Sequence, residues 1–361
     1  MEIKKHYSII EEKVYNYLQK WQPLHEALCQ LTQSELYTLL LPVLEAKTDK
    51  KRYSTLLQDT KNSAFTDSSC ISQADFLAFD KICIDSIDPK YAAIELSPVA
   101  ILWSNRITWT SQNKILSSIR WLELIWDWCI QLAYHHASGE NKNNNLNYIT
   151  SHRIFRNQNF GNSQYTNHFR MLCLGSHINT SNVFAHVDKM IEQIEQIVNF
   201  LKELKNQKII SYDTIIIEFW NLKHFEKLSL IERQEIVKGL QNSKMNERKN
   251  IYSSDLWNEH KTVDFLENTV WEVFELLKYS LSKSYLHATE WVDCCVNKNR
   301  LSWIWHYISY CYSIFLEKDG KRCWVTDWGI TDWTWKLLSN NKTAFVVSWV
   351  WTEMILKLFK S

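Results

Sequence analysis

Arg156 is well suited to hold an oxyanion, because its planar guanidinium presents paired donors in a fixed fork. It leaves the segment Asn147-Tyr-Ile-Thr-Ser-His-Arg-Ile-Phe-Arg156-Asn-Gln158, which reads as a strand. A polar loop covers 159–167, and His168-Phe169-Arg170-Met-Leu-Cys-Leu174 reads as the returning strand. Two strands joined by a long polar loop, with an arginine leaving the first and an aromatic ring opening the second, can grip a nucleotide. Arg156 can neutralise a phosphate, and Phe169 can stack on the base. The same pattern also fits a plain hairpin with a solvated loop. Strand alternation places His168 and Arg170 on one face and Phe169 on the other, so the ring and both basic groups cannot share one cleft without a bulge. The nine cysteines (29, 70, 83, 129, 173, 294, 295, 311 and 323) contain no CxxC pair, and dispersed thiols in odd number suit a reducing cytoplasm. Cys294-Cys295 read as strand thiols, and His135-His136, about 100° apart on a helix, make a poor metal pair, so no metal centre is expected.

The elements that must position these groups are legible in part. With 361 residues, 45% hydrophobic and 22% charged, the chain is long enough for one large domain with an appendage, and disorder is excluded. Its 41 Lys+Arg against 40 Asp+Glu leave a net charge of +1, so neither DNA nor an anionic membrane is an expected partner. No window approaches about 18 uninterrupted apolar residues, and the mixed start Met1-Glu-Ile-Lys-Lys-His does not read as a signal peptide. Over 7–46, Ile9, Ile10, Val14, Leu18, Leu36, Leu39, Leu40 and Leu44 recur at helical spacing, punctuated by Pro23 and Pro42. The polar run 47–72 reads as a connection, which places a helical extension and linker over 1–72 and the core over 73–361. Within the core, 74–86 reads as a helix and 91–98 as a strand ended by Pro98. The amphipathic run 183–206 is a long helix, 214–219 a β-branched strand, and 229–240 and 262–283 are helical. The last 70 residues read as short strands closed by a helix from about Thr352. Strands and helices mix without regular βαβ alternation, so the expected class is α+β, an antiparallel sheet flanked by helices.

In this order the segments resemble the core of class II aminoacyl-tRNA synthetases, the histidyl enzyme and its non-charging paralogues in particular, over roughly 73–361. The hairpin around Arg156 and Phe169 resembles motif 2. The helix 74–86 with the strand 91–98 resembles motif 1, which in the family forms the dimer interface. Leu124-Ile-Trp-Asp127-Trp-Cys129-Ile resembles the stretch whose acidic residue, glycine and threonine touch the amino acid, so Asp127 and Cys129 become substrate contacts. Ser302-Trp-Ile-Trp-His-Tyr307-Ile-Ser309 resembles the histidine-binding Arg-Gly-Leu-Asp-Tyr-Tyr-Thr-Gly segment and adds Tyr307. Trp328-Gly-Ile-Thr-Asp332 is similar to Gly-Gly-Arg-Tyr-Asp, and Ser348-Trp-Val-Trp-Thr-Glu353-Met354 to motif 3, Gly-x-Gly-x-Glu-Arg. The resemblance implies ATP with Mg²⁺, Arg156 as the catalytic contact to the α-phosphate, Gln158 as a further ATP contact, Phe169 stacked on adenine, a carboxylate activated as an adenylate, and a homodimer.

The resemblance also makes sense of an abnormal composition. The chain has 18 Trp and only 6 Gly, and the two counts together amount to an ordinary glycine content of about 7%. Trp128, Trp303, Trp328, Trp349 and Trp351 stand where the family has glycine, which is needed there for positive φ or for close approach of backbone to ligand. A gene in which UGA encodes glycine, translated as though UGA encoded tryptophan, gives this pattern. Alternating strand tryptophans in an aromatic-rich core are the other reading, and they imply a closed, non-catalytic site.

Other departures are independent of glycine. Met354 replaces the motif 3 arginine, Gln158 the motif 2 glutamate, Asn167 the loop arginine and Ser302 the arginine of the histidine-binding segment, with Arg300 two residues upstream. Met171 and Gly175 stand where polar and acidic ligands of the amino acid belong, and Glu353 reads as a structural anchor. Two functions are therefore implied. One is an ATP-dependent ligase or adenylating protein acting on a small-molecule carboxylate. The other is a non-catalytic paralogue similar to the regulatory subunit of ATP phosphoribosyltransferase, whose partner is an enzyme. Without an anticodon-binding segment after motif 3, tRNA is not an expected partner.

Overall fold

The computed structural model describes residues 21–49, 51–108, 110–157, 166–221, 292–296 and 307–361. In chain order the described strands are β1 (Tyr91–Ala93), β2 (Val99–Ile101), β3 (Leu122–Leu124), β4 (Asn147–Phe155), β5 (His168–Asn179), β6 (Thr214–Asn221), β7 (Val292–Val296), β8 (Tyr310–Lys318), β9 (Lys321–Thr331) and β10 (Thr343–Val350). The helices are α1 (Trp21–Gln30), α2 (Gln33–Thr48), α3 (Tyr53–Lys61), α4 (Gln73–Ser86), α5 (Trp128–Ser138), α6 (Val183–Asn206), α7 (Trp333–Leu338) and α8 (Thr352–Phe359). Eight strands form one sheet in the order β1-β4-β5-β10-β9-β8-β6-β7, and β2 and β3 form a separate hairpin. The outer pairs β1/β4 and β6/β7 are parallel, while the inner pairs are antiparallel. The fold is thus α+β, a large sheet flanked by helices.

The burial of the middle strands follows from their composition. β10, Thr-Ala-Phe-Val-Val-Ser-Trp-Val, is buried at every position, as an apolar run covered on both faces must be. Along β5 the alternation of side chains divides the work. Arg170 and Ser176 reach α4 and α6, the first through Asp80 and the second through Gln193. Cys173, Gly175 and His177 face α5. His177 stacks on His136 with centroids 4.0 Å apart, and a Cβ on Gly175 would fall 2.8 Å from the Phe345 ring and 3.1 Å from Leu132. Gly175 is therefore required by close packing, which rules out an acidic ligand at that position.

The helix boundaries agree closely with the apolar spacing. α6 buries Val187, Met190, Ile194, Ile197, Leu201 and Leu204 along one stripe, and Asn182 caps it by accepting the Phe184 N–H at 3.0 Å. Ser72 caps α4 through the Asp75 N–H at 3.1 Å. Four local expectations change. The connection 47–72 contains α3. Pro42 lies inside α2, whose first turn is fixed by a Thr32/Glu35 capping box, instead of ending it. β1 stops at Ala93, because beyond Ile94 the backbone turns to side-chain partners, the Leu96 N–H donating to His152 Nε2. The closing strands are long rather than short, β9 spanning 11 residues. The proposed helices over 229–240 and 262–283, and residues 7–20, lie outside the described residues. No described helix is long and apolar enough to cross a membrane.

Candidate functional site

The hairpin mouth is built by backbone exchange. Just past β4, the Arg156 N–H donates to the Asn167 carbonyl at 2.8 Å, and Asn167 Nδ2 donates back to the Arg156 carbonyl at 2.7 Å. This clasp, with strand pairing from Phe155/His168 onward, turns the Arg156 side chain inward. Its guanidinium lies 4.5 Å from the Trp126 ring and 5.4 Å from that of Phe169, and only 8% of the residue is exposed. Asp127 is the charge beside it. Burial lowers the Arg156 pKa to about 10 while Asp127 pulls it back up, so the guanidinium stays charged at neutral pH. Burial raises the Asp127 carboxyl to about 6, against the opposing pull of Arg156 and of the Cys129 N–H.

Asp127 owes its position to α5, which it caps by accepting the Cys129 N–H at 2.9 Å. Cys129 is fully buried, and its thiol donates to the Ser348 carbonyl of β10 at 3.7 Å and lies within 4.8 Å of the Cys173 thiol of β5. Arg156, Phe169 and the pair Asp127 and Cys129, from three segments of the sequence, thus converge. Tyr307 does not reach them directly. Its ring lies 6.0 Å from Trp328, and a chain of indoles fills the interval: Trp328 to Trp349 at 5.9 Å, Trp349 to Trp351 at 6.1 Å, Trp351 to Phe169 at 5.2 Å, with Trp324 5.2 Å from Trp349. Gln158, Trp303 and Ser302 lie outside the described residues. Among the described residues a crevice is lined by Thr166, Phe169, Trp351, Glu353, Met354 and Lys357, in which Lys357 carries the positive charge.

His168 and Arg170 turn away from this cleft, as the alternation requires. Arg153 donates to His168 Nδ1 at 2.8 Å, so the imidazole is neutral and its Nε2–H donates to the Asp67 carbonyl at 2.8 Å. Burial, the largest cause, lowers its pKa. Arg170 donates through Nε to Asp80 at 2.8 Å. Glu353 is the anchor that its place implied, accepting from Ser69 Oγ at 2.8 Å, the Arg170 N–H at 3.2 Å and Arg153 at 3.3 Å.

The tryptophans carry signs of strain that sequence spacing did not reveal. Trp103 and Trp121 adopt φ of 77° and 62°, the left-handed region that excludes bulky side chains and favours glycine. They flank the β2–β3 hairpin, the Leu102 N–H donating to the Trp121 carbonyl at 2.9 Å. The indole N–H groups of Trp128 and Trp328 are buried and meet no acceptor among the described residues.

No family model and no curated protein sequence matches the chain. Solved structures do. An ATP phosphoribosyltransferase regulatory subunit/histidyl-tRNA synthetase from Bacillus halodurans superposes with a TM-score of 0.61 at 13% identity, over 82% of this chain and 83% of that one. Histidyl-tRNA synthetase from Nostoc sp. PCC 7120 gives 0.55 at 12% identity, over 82% and 74%. A chain of the ATP phosphoribosyl transferase complex from Thermotoga maritima gives 0.52 at 11% identity, over 77% and 96%. The protein therefore has the class II aminoacyl-tRNA synthetase-like fold. Within that class its structural neighbours are histidyl-tRNA synthetases and the regulatory subunit of ATP phosphoribosyltransferase.

Proposed function

We propose that this protein binds ATP in the cleft between β4–β5 and β9–β10 and holds a small-molecule carboxylate beside it, with glycine at positions 128, 303, 328, 349 and 351. The observation that carries this reading is the side-by-side placement of Arg156 and Phe169, with Asp127 and Cys129 behind them. As tryptophans, residues 328, 349 and 351 occupy the space a nucleotide needs, so the residues as written do not fit ATP. Glycine at these positions would free that space. The left-handed backbone at Trp103 and Trp121 supports glycine on grounds separate from the cleft, and the indole N–H groups of Trp128 and Trp328, which meet no acceptor among the described residues, add to it.

ATP would supply an activated α-phosphorus for attack by the carboxylate. Arg156 would neutralise the phosphate oxyanion from a dry setting in which its charge is little screened. Phe169 would stack on the purine, Gln158 would add a polar contact, Asp127 and Cys129 would orient the amine end of the substrate, and Tyr307 would close the far side. Mg²⁺ would enter with the triphosphate, since Glu353, the carboxylate lining the crevice, is already committed to Ser69, Arg153 and Arg170. Titration calorimetry of the glycine form tests the reading. ATP saturates one site per chain, and Arg156→Ala weakens it roughly 10–100-fold, the worth of a charge-assisted contact. No saturable heat, or an unchanged affinity in Arg156→Ala, overturns it.

A second reading is favoured by Met354, which is buried where the motif 3 cation belongs, and by the packed Gly175. In it the protein is a cytoplasmic, non-catalytic subunit that binds a partner enzyme of the ATP phosphoribosyltransferase kind. Co-sedimentation with that catalytic subunit, in the absence of ATP turnover, would support it. In either reading α4 forms a homodimer interface through its exposed Leu77 and Ile84.

A further inference from the structure

Asp127, Cys129 and Cys173 each offer one donor atom, and these atoms all lie within 4.8 Å of one another. Cys173 is 44 residues from Cys129 in sequence and comes to it only through the packing of α5 on β5. All three side chains are buried. We infer that they form a zinc site of two thiolates and one carboxylate.

The donor set selects the ion. Two sulfurs and an oxygen suit Zn²⁺, whereas Mg²⁺ and Ca²⁺ take oxygen alone. Zn–S bonds of about 2.3 Å place tetrahedral sulfurs about 3.8 Å apart, so the present spread closes by no more than about 1 Å. Charge also balances. Two thiolates and a carboxylate bring three negative charges into a dry core, and Zn²⁺ with the buried Arg156 guanidinium brings three positive ones. Arg156 acts electrostatically on both Asp127 and Cys173. In the metal-free protein burial holds both thiols protonated, so loading proceeds with loss of a proton from each as the two Zn–S bonds form. Three protein ligands leave a fourth position for water or a substrate amine. That position opens to the cleft when residue 349, opposite Cys173 on β10, is glycine.

The inference does not rest on nucleotide binding, and its test contains none. The full chain, reduced and metal-free, is titrated with Co²⁺ as the spectroscopic probe and then with Zn²⁺. One Co²⁺ per chain, bound with release of two protons and with thiolate-to-cobalt charge-transfer absorption, and then displaced by Zn²⁺ without further proton release, is the expected result. Cys129→Ser and Cys173→Ser each lose the band and bind at least tenfold more weakly. Cys323→Ser, a thiol outside the cluster, leaves both unchanged. Because a buried variant can fail to fold, X-ray absorption on the unmutated zinc-loaded protein provides an independent reading, with two sulfur scatterers at about 2.3 Å. Absence of the band, binding that survives both substitutions, a zinc shell without sulfur, or a Cys129–Cys173 disulfide forming in preference to metal binding overturns the site. Failure of the ATP titration would leave this result untouched.

Discussion

Trp103 and Trp121 are where side-chain identity and backbone conformation conflict most openly. The left-handed conformation costs a β-carbon-bearing residue roughly 1–2 kcal/mol. Trp103→Gly and Trp121→Gly are therefore each expected to raise stability by about 1 kcal/mol in equilibrium denaturation, against the usual cost of removing an indole. A loss of 2 kcal/mol or more at both would mean that the indoles belong there. These two positions were invisible in the sequence, because a left-handed residue betrays itself there by being glycine, and here it is not written as one. Arg156, Phe169, Asp127 and Cys129 were legible, since each sits at the end of an element whose pattern is plain. Cys173 was not, because only the fold brings it to Cys129.

Among the elements, the hairpin β4–β5 and the helix α8 are locked together by a single carboxylate. Glu353 receives donors from Ser69, the Arg170 backbone and Arg153, with Lys357 at 3.6 Å, and it is buried at the start of α8. Glu353→Ala leaves these donors facing an apolar gap and is expected to cost about 2–4 kcal/mol, checked by the denaturation midpoint. A change below 1 kcal/mol would show that water replaces the carboxylate. α6 could be read from the sequence because eleven buried residues follow one helical stripe. β1 was overread, because Tyr91–Pro98 has strand-forming residues throughout while its later backbone groups are satisfied by His152 and Thr150 side chains instead of a ladder. α3 was missed in 47–72, since its polar sequence has no buried face to impose a period.

For the whole molecule, acid stability is set by histidines buried neutral. Burial depresses His136 from near 6.5 to about 4 and also lowers His152, His168 and His177. Folded pKa values below the unfolded ones mean that the unfolded chain binds more protons, so this stability is present above about pH 6.5 and is lost as the pH falls toward 4. Asp127, raised to about 6, opposes the trend over part of the window, as it is one group against four. Urea midpoints are expected to fall between pH 7 and pH 5, and His136→Gln to flatten that slope. Sedimentation is expected to show a dimer that Leu77→Glu dissociates. The α+β class and the order of its segments were legible across the core, but the state of the cleft depends on whether Trp328, Trp349 and Trp351 are tryptophan or glycine. Peptide sequencing by mass spectrometry of the protein isolated from its native cells tests this most directly. Glycine at 103, 121, 128, 303, 328, 349 and 351 is the predicted result and leaves the cleft open to ATP. Tryptophan at those positions would contradict it, leaving a cleft plugged by its own core.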